Sequence, residues 1–166
     1  DLTLERFLGD NYYYLITGSI FKSEYKAGDN VWRNTRYNKG FVLNALFGKE
    51  FYFANNRKVL DVNARVSVTG GERYSPILES QSVTQRRVIY DESLAFSEQF
   101  RTLTYADLTV NYRINHRKSS SVFSFQMKNV LGAPIYIDHN YNYQTGQIEL
   151  SKATLVIPNI SYKIEF

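Results

Sequence analysis

Cysteine is absent from this chain of 166 residues, and histidine is nearly so. The lack of cysteine excludes a disulfide framework, a thiolate metal site and a cysteine nucleophile. The two histidines, His116 and His139, fall in separate predicted connections, which argues against a metal site or a serine–histidine–aspartate relay built on both. The sequence therefore predicts a protein that is not an enzyme, with no catalytic residues, no cofactor and no metal ion.

Long apolar runs and a signal peptide are also missing. No stretch approaches the roughly 20 apolar residues of a transmembrane helix, and residues 1–6 have neither the basic segment nor the apolar core of a signal peptide. The start is therefore expected to be the interior of a longer precursor. The formal charge is +4, but the basic residues are mostly scattered singly, so nucleic acid is not an expected partner.

Aromatic and β-favouring residues are abundant. The chain contains 14 Tyr and 11 Phe, and its hydrophobic content of 43% is too high for a disordered segment. Thr, Asn, Ser, Val and Tyr recur throughout, whereas runs of helix-favouring residues are missing. The composition predicts an all-β fold.

Apolar and polar residues alternate with a period of two, the spacing of a β-strand that has two different faces. The clearest example is residues 59–70, in which one face carries Leu60, Val62, Ala64, Val66 and Val68. Such stretches predict an antiparallel meander of about seven to eight strands. The predicted strands are residues 2–7, 12–25, 41–53, 59–70, 105–115, 121–129 and 159–166.

The same alternation occurs in a soluble sandwich with one solvated face, but the sequence favours part of a transmembrane β-barrel. Ionised residues such as Asp61 and Arg113 stand in mid-strand on the polar face, which a water-filled or plugged lumen tolerates. Tyr and Phe residues, among them Tyr12 and Phe166, are concentrated at one end of the predicted strands. At a membrane interface such rings can stay in the apolar zone while the Tyr hydroxyl reaches water.

The connections between predicted strands alternate in length. Short turns at residues 9–11, 54–57 and 116–118 alternate with long loops at 26–39, 71–101 and from about 131 onward. Outer-membrane barrels have short periplasmic turns and longer extracellular loops in this same alternation. The pattern thus predicts that every short turn is periplasmic and every long loop extracellular.

The C-terminal residues resemble a known class. The stretch from Pro158 to Phe166 resembles the last strand of outer-membrane proteins, with alternating apolar positions and a terminal Phe. Residues 125–130 resemble the penultimate-strand motif of TonB-dependent receptors, with Leu131-Gly132-Ala133 in place of the more usual polar turn. Residues 12–19, 31–38 and 46–51 look similar to receptors of this family from Bacteroidetes-like bacteria.

The resemblance implies the location, the partners and the role of the chain. Residues 1–166 would be the C-terminal part of a larger outer-membrane β-barrel domain, of the 22-stranded plugged class, whose plug and earlier strands are absent from this sequence. Tyr162, Ile164 and Phe166 would be the barrel-insertion signal. The implied partners are outer-membrane lipid, the barrel-insertion machinery, the rest of the receptor and, through it, TonB. The expected function is that of wall strands and extracellular loops of a receptor importing a siderophore, sugar or peptide.

One loop carries a candidate ligand site. Asp138-His139-Asn140 is bracketed by Tyr136, Tyr141 and Tyr143, and aromatic rings interleaved with polar groups can stack on a sugar or hold a chelate. The simpler alternative is a Tyr-rich extension of a strand beyond the membrane. Arg86-Arg87 in the longest loop could contact lipopolysaccharide phosphates or an anionic ligand, or could simply be solvated.

Two other functions stay open at this point. A complete small outer-membrane barrel of eight strands would require the first and last strands to pair. A soluble all-β module that binds carbohydrate would be monomeric and soluble without detergent.

Overall fold

The computed structural model describes residues 1–166, and nearly all of its regular elements are strands. In chain order the strands are β1 (Leu2–Gly9), β2 (Tyr12–Ile20), β3 (Glu24–Lys26), β4 (Trp32–Asn34), β5 (Phe41–Phe53), β6 (Lys58–Thr69), β7 (Arg73–Tyr74), β8 (Glu98–Gln99), β9 (Leu103–Asn115), β10 (Ser120–Lys128), β11 (Pro134–Asn142), β12 (Gln147–Thr154) and β13 (Ile157–Glu165). Helix α1 (Glu79–Gln85) and a short 3-10 helix (Glu92–Leu94) lie between β7 and β8.

Seven strands form one antiparallel sheet in the order β1-β2-β5-β6-β9-β10-β13. The remaining strands form three separate two-stranded pairs, β3–β4, β7–β8 and β11–β12. The all-β antiparallel meander predicted from the sequence is therefore confirmed. Strands β1 and β13 lie at opposite edges and do not pair with each other, so the sheet is open in this structure.

The connections of the large sheet are short at one end and long at the other. Residues 10–11, 54–57 and 116–119 connect strands at what we call the short-turn end, and residues 21–40, 70–102 and 129–156 connect them at the long-loop end. In the tightest turn Asp10 and Asn11 both have positive φ, 52° and 66°. Asp and Asn tolerate this conformation better than other non-glycine residues, and two such residues match the twist of a two-residue hairpin.

Some predicted boundaries were wrong. The strand predicted over residues 12–25 leaves the sheet after Ile20, because the backbone N–H of Ser23 donates to the Asn38 side chain at 3.0 Å instead of to β5. The last strand ends at Glu165, so Phe166 lies beyond it. The loops predicted over 71–101 and from about 131 contain α1 and the β11–β12 hairpin, elements that are too short or too polar for the alternation to reveal.

The register of strand pairing collects the apolar residues on one face of the sheet. Directly paired residues share a face, and the pairs Phe47–Ala64, Ala64–Leu108 and Phe125–Ile160 are all apolar. We call this side the apolar face. It continues across all seven strands and includes Leu4, Ile16, Leu43, Val62, Val66, Val110, Tyr112, Phe123 and Tyr162.

Nothing covers the apolar face. Ala95, in a loop, is the one hydrophobic residue that is buried, whereas Phe47 is 53% exposed and Ile160 is 81% exposed. The only helix longer than a single turn, α1, has its main contact with β12, which belongs to a separate hairpin. This sheet therefore has no hydrophobic core of its own.

The opposite face, which we call the polar face, is organised around Asp61. Its carboxylate accepts hydrogen bonds from the Tyr13 hydroxyl at 3.0 Å and from the side-chain amides of Asn63 and Asn111 at 3.0 and 2.8 Å. Tyr13 on β2 reaches β6 because its ring lies across Gly48 on the intervening strand β5, where any side chain would overlap the ring. A cavity of about 550 Å³ opens beside this cluster.

Replacing Gly48 by alanine should destabilise the sheet, because the added methyl group would push the Tyr13 ring away from Asp61. Elsewhere in a strand, glycine to alanine is neutral or stabilising by about 0.4–1 kcal/mol. Loss of a hydrogen bond to a charged acceptor costs about 1.5–3 kcal/mol. We expect Gly48→Ala to lower the unfolding free energy of the protein by about that amount.

The matched control is Gly18→Ala on the apolar face of β2. A methyl group there meets only a Leu43 side-chain carbon at an ordinary 3.6 Å, so stability should be kept or slightly raised. Tyr13→Phe should reproduce most of the Gly48→Ala effect. Equal stability of the Gly18 and Gly48 variants would show that the Tyr13 contact is energetically irrelevant.

Candidate functional site

The three long connections pack together at the long-loop end into what we call the loop layer, residues 21–40, 70–102 and 129–156. Two glycines permit the closest approaches in it. A side chain at Gly70 would overlap the Lys39 carbonyl oxygen, and one at Gly71 would overlap the Phe100 carbonyl oxygen. The backbone N–H of Phe100 donates to Glu72 O at 3.0 Å. The two ends of the longest loop are thus held side by side.

This closure places an aromatic cluster against the β11–β12 hairpin. The Phe100 ring stacks between Tyr74, at 4.4 Å between centroids, and Tyr136, at 5.6 Å. The His139 ring lies 4.9 Å from Tyr74 and 5.8 Å from Phe100. We call Tyr74, Phe100, Tyr136 and His139 the aromatic cluster.

A β-bulge in β11 brings two of these residues to the same face of the hairpin. Tyr136 pairs with Lys152 and His139 pairs with Leu150, with a register shift between Tyr136 and Asp138. Residues three apart in a regular strand point to opposite faces, whereas one extra residue, here Ile137, restores them to one face. The bulge is therefore what lets both side chains meet Phe100.

Two cavities flank the stacked pair Tyr74–Phe100. The smaller, about 190 Å³, is lined by Tyr90, Phe96 and Asp138 among others. The larger, about 390 Å³, has Tyr136, Arg101 and Lys152 in its wall, and neither of these two cations takes part in an ion pair. Aromatic walls with unpaired cations suit a small ligand that has a flat apolar surface and an anionic or strongly accepting group.

Asp138 links the longest loop to the hairpin. The Tyr90 hydroxyl donates to its carboxylate at 2.5 Å, and the backbone N–H of His139 donates to the same oxygen at 2.8 Å. Burial, helped by the nearby negative charge of Asp138, raises the pKa of Tyr90 to about 12. Tyr90 therefore keeps its proton, and with it this hydrogen bond, throughout the physiological range.

His139 is held as a neutral ring. Burial lowers its pKa, and the adjacent Asp138 opposes that shift only in part. The Nδ1 atom is buried without a hydrogen-bond partner, and the imidazole packs against Tyr74 and Phe100 instead. The ring therefore acts here as an aromatic packing group.

The structure unites part of the candidate site and separates the rest. Tyr136, Asp138 and His139 meet residues that the sequence analysis did not single out, Tyr74, Tyr90 and Phe100. Tyr141 and Tyr143 contact each other at 5.0 Å near the tip of the hairpin, where Tyr143 is 78% exposed, and they take no part in the aromatic cluster. One signal for the missed residues was available in the sequence: Tyr74 and Phe100 lie near the two ends of the same long loop, so closure of that loop brings the two rings together.

The other predicted residues lie apart from this site. Tyr162 and Ile164 are on the apolar face of β13, where the Tyr162 ring is 4.7 Å from that of Phe123. Phe166 is fully exposed. Arg86 and Arg87 follow α1 on the surface, and Arg87 donates to the Gln85 side chain. His116 lies in a turn at the short-turn end, far along the sheet from His139.

The structure has no group of three or more His, Cys, Asp or Glu side chains that could hold a metal ion. None of its helices has the length and apolar character needed to cross a bilayer. Comparison with protein-family models, curated proteins and solved structures finds no match to this chain. The geometry of the sheet and of the loop layer is therefore the basis for assigning a function.

Acidification should loosen the aromatic cluster. Because the folded pKa of His139 is below its ordinary value of 6.5, its contribution to stability is present above that value and is lost as pH falls through the lowered pKa. We expect faster hydrogen exchange at residues 72–76 and 134–142 at pH 5 than at pH 7.5, after correction for the intrinsic pH dependence of exchange.

His139→Phe keeps an aromatic ring that cannot take up a proton, and it should remove most of this difference. His116→Phe, in a turn distant from the cluster, should leave the difference unchanged. If the His139 variant kept the full pH response, the loosening would have to come from another group.

Proposed function

We propose that this chain forms consecutive wall strands and extracellular loops of a bacterial outer-membrane β-barrel, of the type found in TonB-dependent receptors that import a nutrient. The observation that carries the proposal is the apolar face, which runs uncovered across seven strands. Exposed apolar patches beyond a few hundred Å² mark interaction surfaces. With strands about 4.8 Å apart, this face is on the order of 30 Å wide.

The dimensions of the strands fit a bilayer. The seven strands of the sheet have 8, 9, 13, 12, 13, 9 and 9 residues. A tilted strand needs about 9–11 residues to cross the hydrocarbon region. Lipid against the apolar face would remove its exposed apolar side chains from water, and no other part of the chain covers them.

The polar face supports the same assignment. Asp61 with its three donors and the ion pair between Arg65 and Asp107 stand in mid-strand. Ionised groups are costly in a dry protein interior, but a water-filled or plugged lumen keeps them solvated. A soluble sandwich would need to bury the opposite, apolar face under a second sheet, and the structure contains no such layer.

The two ends of the sheet support one orientation in the proposed membrane. Short turns at one end and a structured loop layer at the other match the periplasmic and extracellular sides of such barrels. The aromatic cluster and its two cavities would then face the outside, where a nutrient arrives. The substrate of the proposed receptor would be a small molecule with a flat surface that can stack on the rings of the aromatic cluster.

The unpaired edges of the sheet support the proposed partners. Strands β1 and β13 each have one side without a neighbour, and unpaired strand edges inside a membrane are not tolerated. Further strands of the same barrel would pair with them, and a plug bound to the polar face would connect the wall to TonB. The exposed Phe166, together with Tyr162 and Ile164, would be available to the barrel-insertion machinery.

A positive charge on the apolar face should disrupt insertion, whereas the same charge on the polar face should not. Ala64 is exposed in the middle of the apolar face, and Thr109, next to its partner Leu108, points to the polar face. Arginine at the bilayer midplane costs about 2–4 kcal/mol. Ala64→Arg in the full-length protein should therefore reduce folding into liposomes more than tenfold, and Thr109→Arg should have little effect.

Equal loss for the two arginine variants would mean that the faces are assigned wrongly. A monodisperse monomer of the wild-type protein in buffer without detergent would instead favour the soluble carbohydrate-binding alternative.

Cysteine labelling should show which end of the sheet faces outward. Gln81 is exposed in the loop layer, unlike the neighbouring Ser82, which is fully buried, and Arg57 is exposed in a short turn. On intact cells, a membrane-impermeant maleimide should label Gln81→Cys but not Arg57→Cys, and both should react after lysis. Labelling of Arg57→Cys alone would show that the orientation is the reverse of the one proposed.

A further inference from the structure

Charge on the apolar face has only one sign. The register places just three ionisable residues other than tyrosine on this face, Arg6, Lys49 and Lys58, and all three are basic. All three lie toward the short-turn end, since Arg6 and Lys49 flank Tyr12 near the first turn and Lys58 begins β6. The long-loop half of the same face carries no charge. Scattered surface charges would not be expected to segregate in this way.

Each base stands beside an aromatic ring. The Arg6 guanidinium carbon lies 4.0 Å from the centre of the Tyr12 ring, and Lys49 Nζ lies 5.4 Å from that of Phe51. Lys58 pairs directly with Phe53 on β5. Aromatic rings with basic residues are the composition of a membrane interface, where the ring stays in the apolar zone and the cation reaches the headgroups.

The two lysines have no partner within the protein. Arg6 is neutralised by Asp10 at 2.8 Å, but neither Lys49 nor Lys58 takes part in an ion pair, and both side chains are exposed. The two lysines also lie at different heights along the strands. Lys49 is opposite the first residue of β2, while β5 runs four residues further to Phe53, so the strand ends are staggered as in a tilted sheet.

We propose that Lys49 and Lys58 bind the phosphate groups of anionic phospholipids in the leaflet at the short-turn end. This inference rests on the proposed membrane role of the apolar face. Two unpaired ammonium groups at the border of an apolar surface complement a headgroup that is anionic above its acyl chains. A zwitterionic headgroup offers the same phosphate, but its choline group cancels the net attraction.

The test uses a tryptophan reporter in the full-length protein, reconstituted in vesicles. Phe53→Trp places the reporter beside Lys58 on the apolar face, and subtraction of the same protein without it isolates the local signal. Quenching is compared between vesicles that contain dibrominated phosphatidylglycerol and vesicles that contain dibrominated phosphatidylcholine. The ratio gives a relative binding constant at this position, which we expect to favour phosphatidylglycerol about fivefold for each lysine.

The variant Lys49→Gln with Lys58→Gln should bring that ratio close to one, and Lys49→Arg with Lys58→Arg should keep it high. The matched control is Lys128→Gln with Lys163→Gln, which removes the same charge from the polar face and should leave the ratio unchanged. High salt should weaken the preference in the wild-type protein.

The outcomes separate this inference from the proposed function. Strong quenching by both lipids with a ratio near one in the wild type would overturn the lysine site while leaving the apolar face in the membrane. No quenching by either lipid would show that the face does not meet lipid, and would overturn both. A ratio that fell equally in the control would attribute the preference to net charge alone and would also overturn the site.

Discussion

Strand pairing in a single register is the constraint on which the rest of this structure depends. Of the 95 backbone hydrogen bonds, 72 lie within helices and strands, while a single hydrophobic residue is buried. The ladder of main-chain bonds, and not an apolar core, therefore defines the sheet. Because side chains alternate along a strand, a slip of one residue between β6 and β9 would move Leu108 and Val110 to the polar side. The apolar and polar faces exist only while every pair keeps its register.

The two faces place opposite demands on the sequence. On the polar face, Tyr13 spans one strand over Gly48 and donates to Asp61, which also accepts from two side-chain amides, so the charged group is satisfied inside the protein. On the apolar face, charge is confined to one end and left unpaired at Lys49 and Lys58. The Asp61 cluster is stable next to water or a polar partner. The apolar face with its two lysines is complemented by surroundings that are apolar along most of the face and anionic at the short-turn end. A bilayer would provide both, an apolar interior and an anionic headgroup layer above it, and for this physical reason the proposed lysine site depends on the proposed membrane role.

The loop layer shows how a binding surface can be built without a core beneath it. Gly70 and Gly71 allow main chains to touch, the bulge at Ile137 turns Tyr136 and His139 to the same side, and Phe100 fills the space between the rings. The ring contacts of the aromatic cluster join residues 26 to 65 positions apart in sequence, and none of them belongs to the ladder of the large sheet. We expect the loop layer to open more readily than the strands below it.

The sequence by itself determined the fold class, the two faces of each strand and the alternation of short and long connections, since all three are carried by period-two patterning and by turn residues that act locally. It also marked Tyr136, Asp138 and His139 as neighbours. It did not reveal Tyr74, Tyr90 and Phe100 beside them, nor that Tyr141 and Tyr143 stand apart. Those relations were decided by the tertiary structure, because a bulge and two close main-chain approaches set which side chains meet, and neither leaves a periodic trace along the chain. The charge segregation at Lys49 and Lys58 likewise became visible only when the register aligned seven strands.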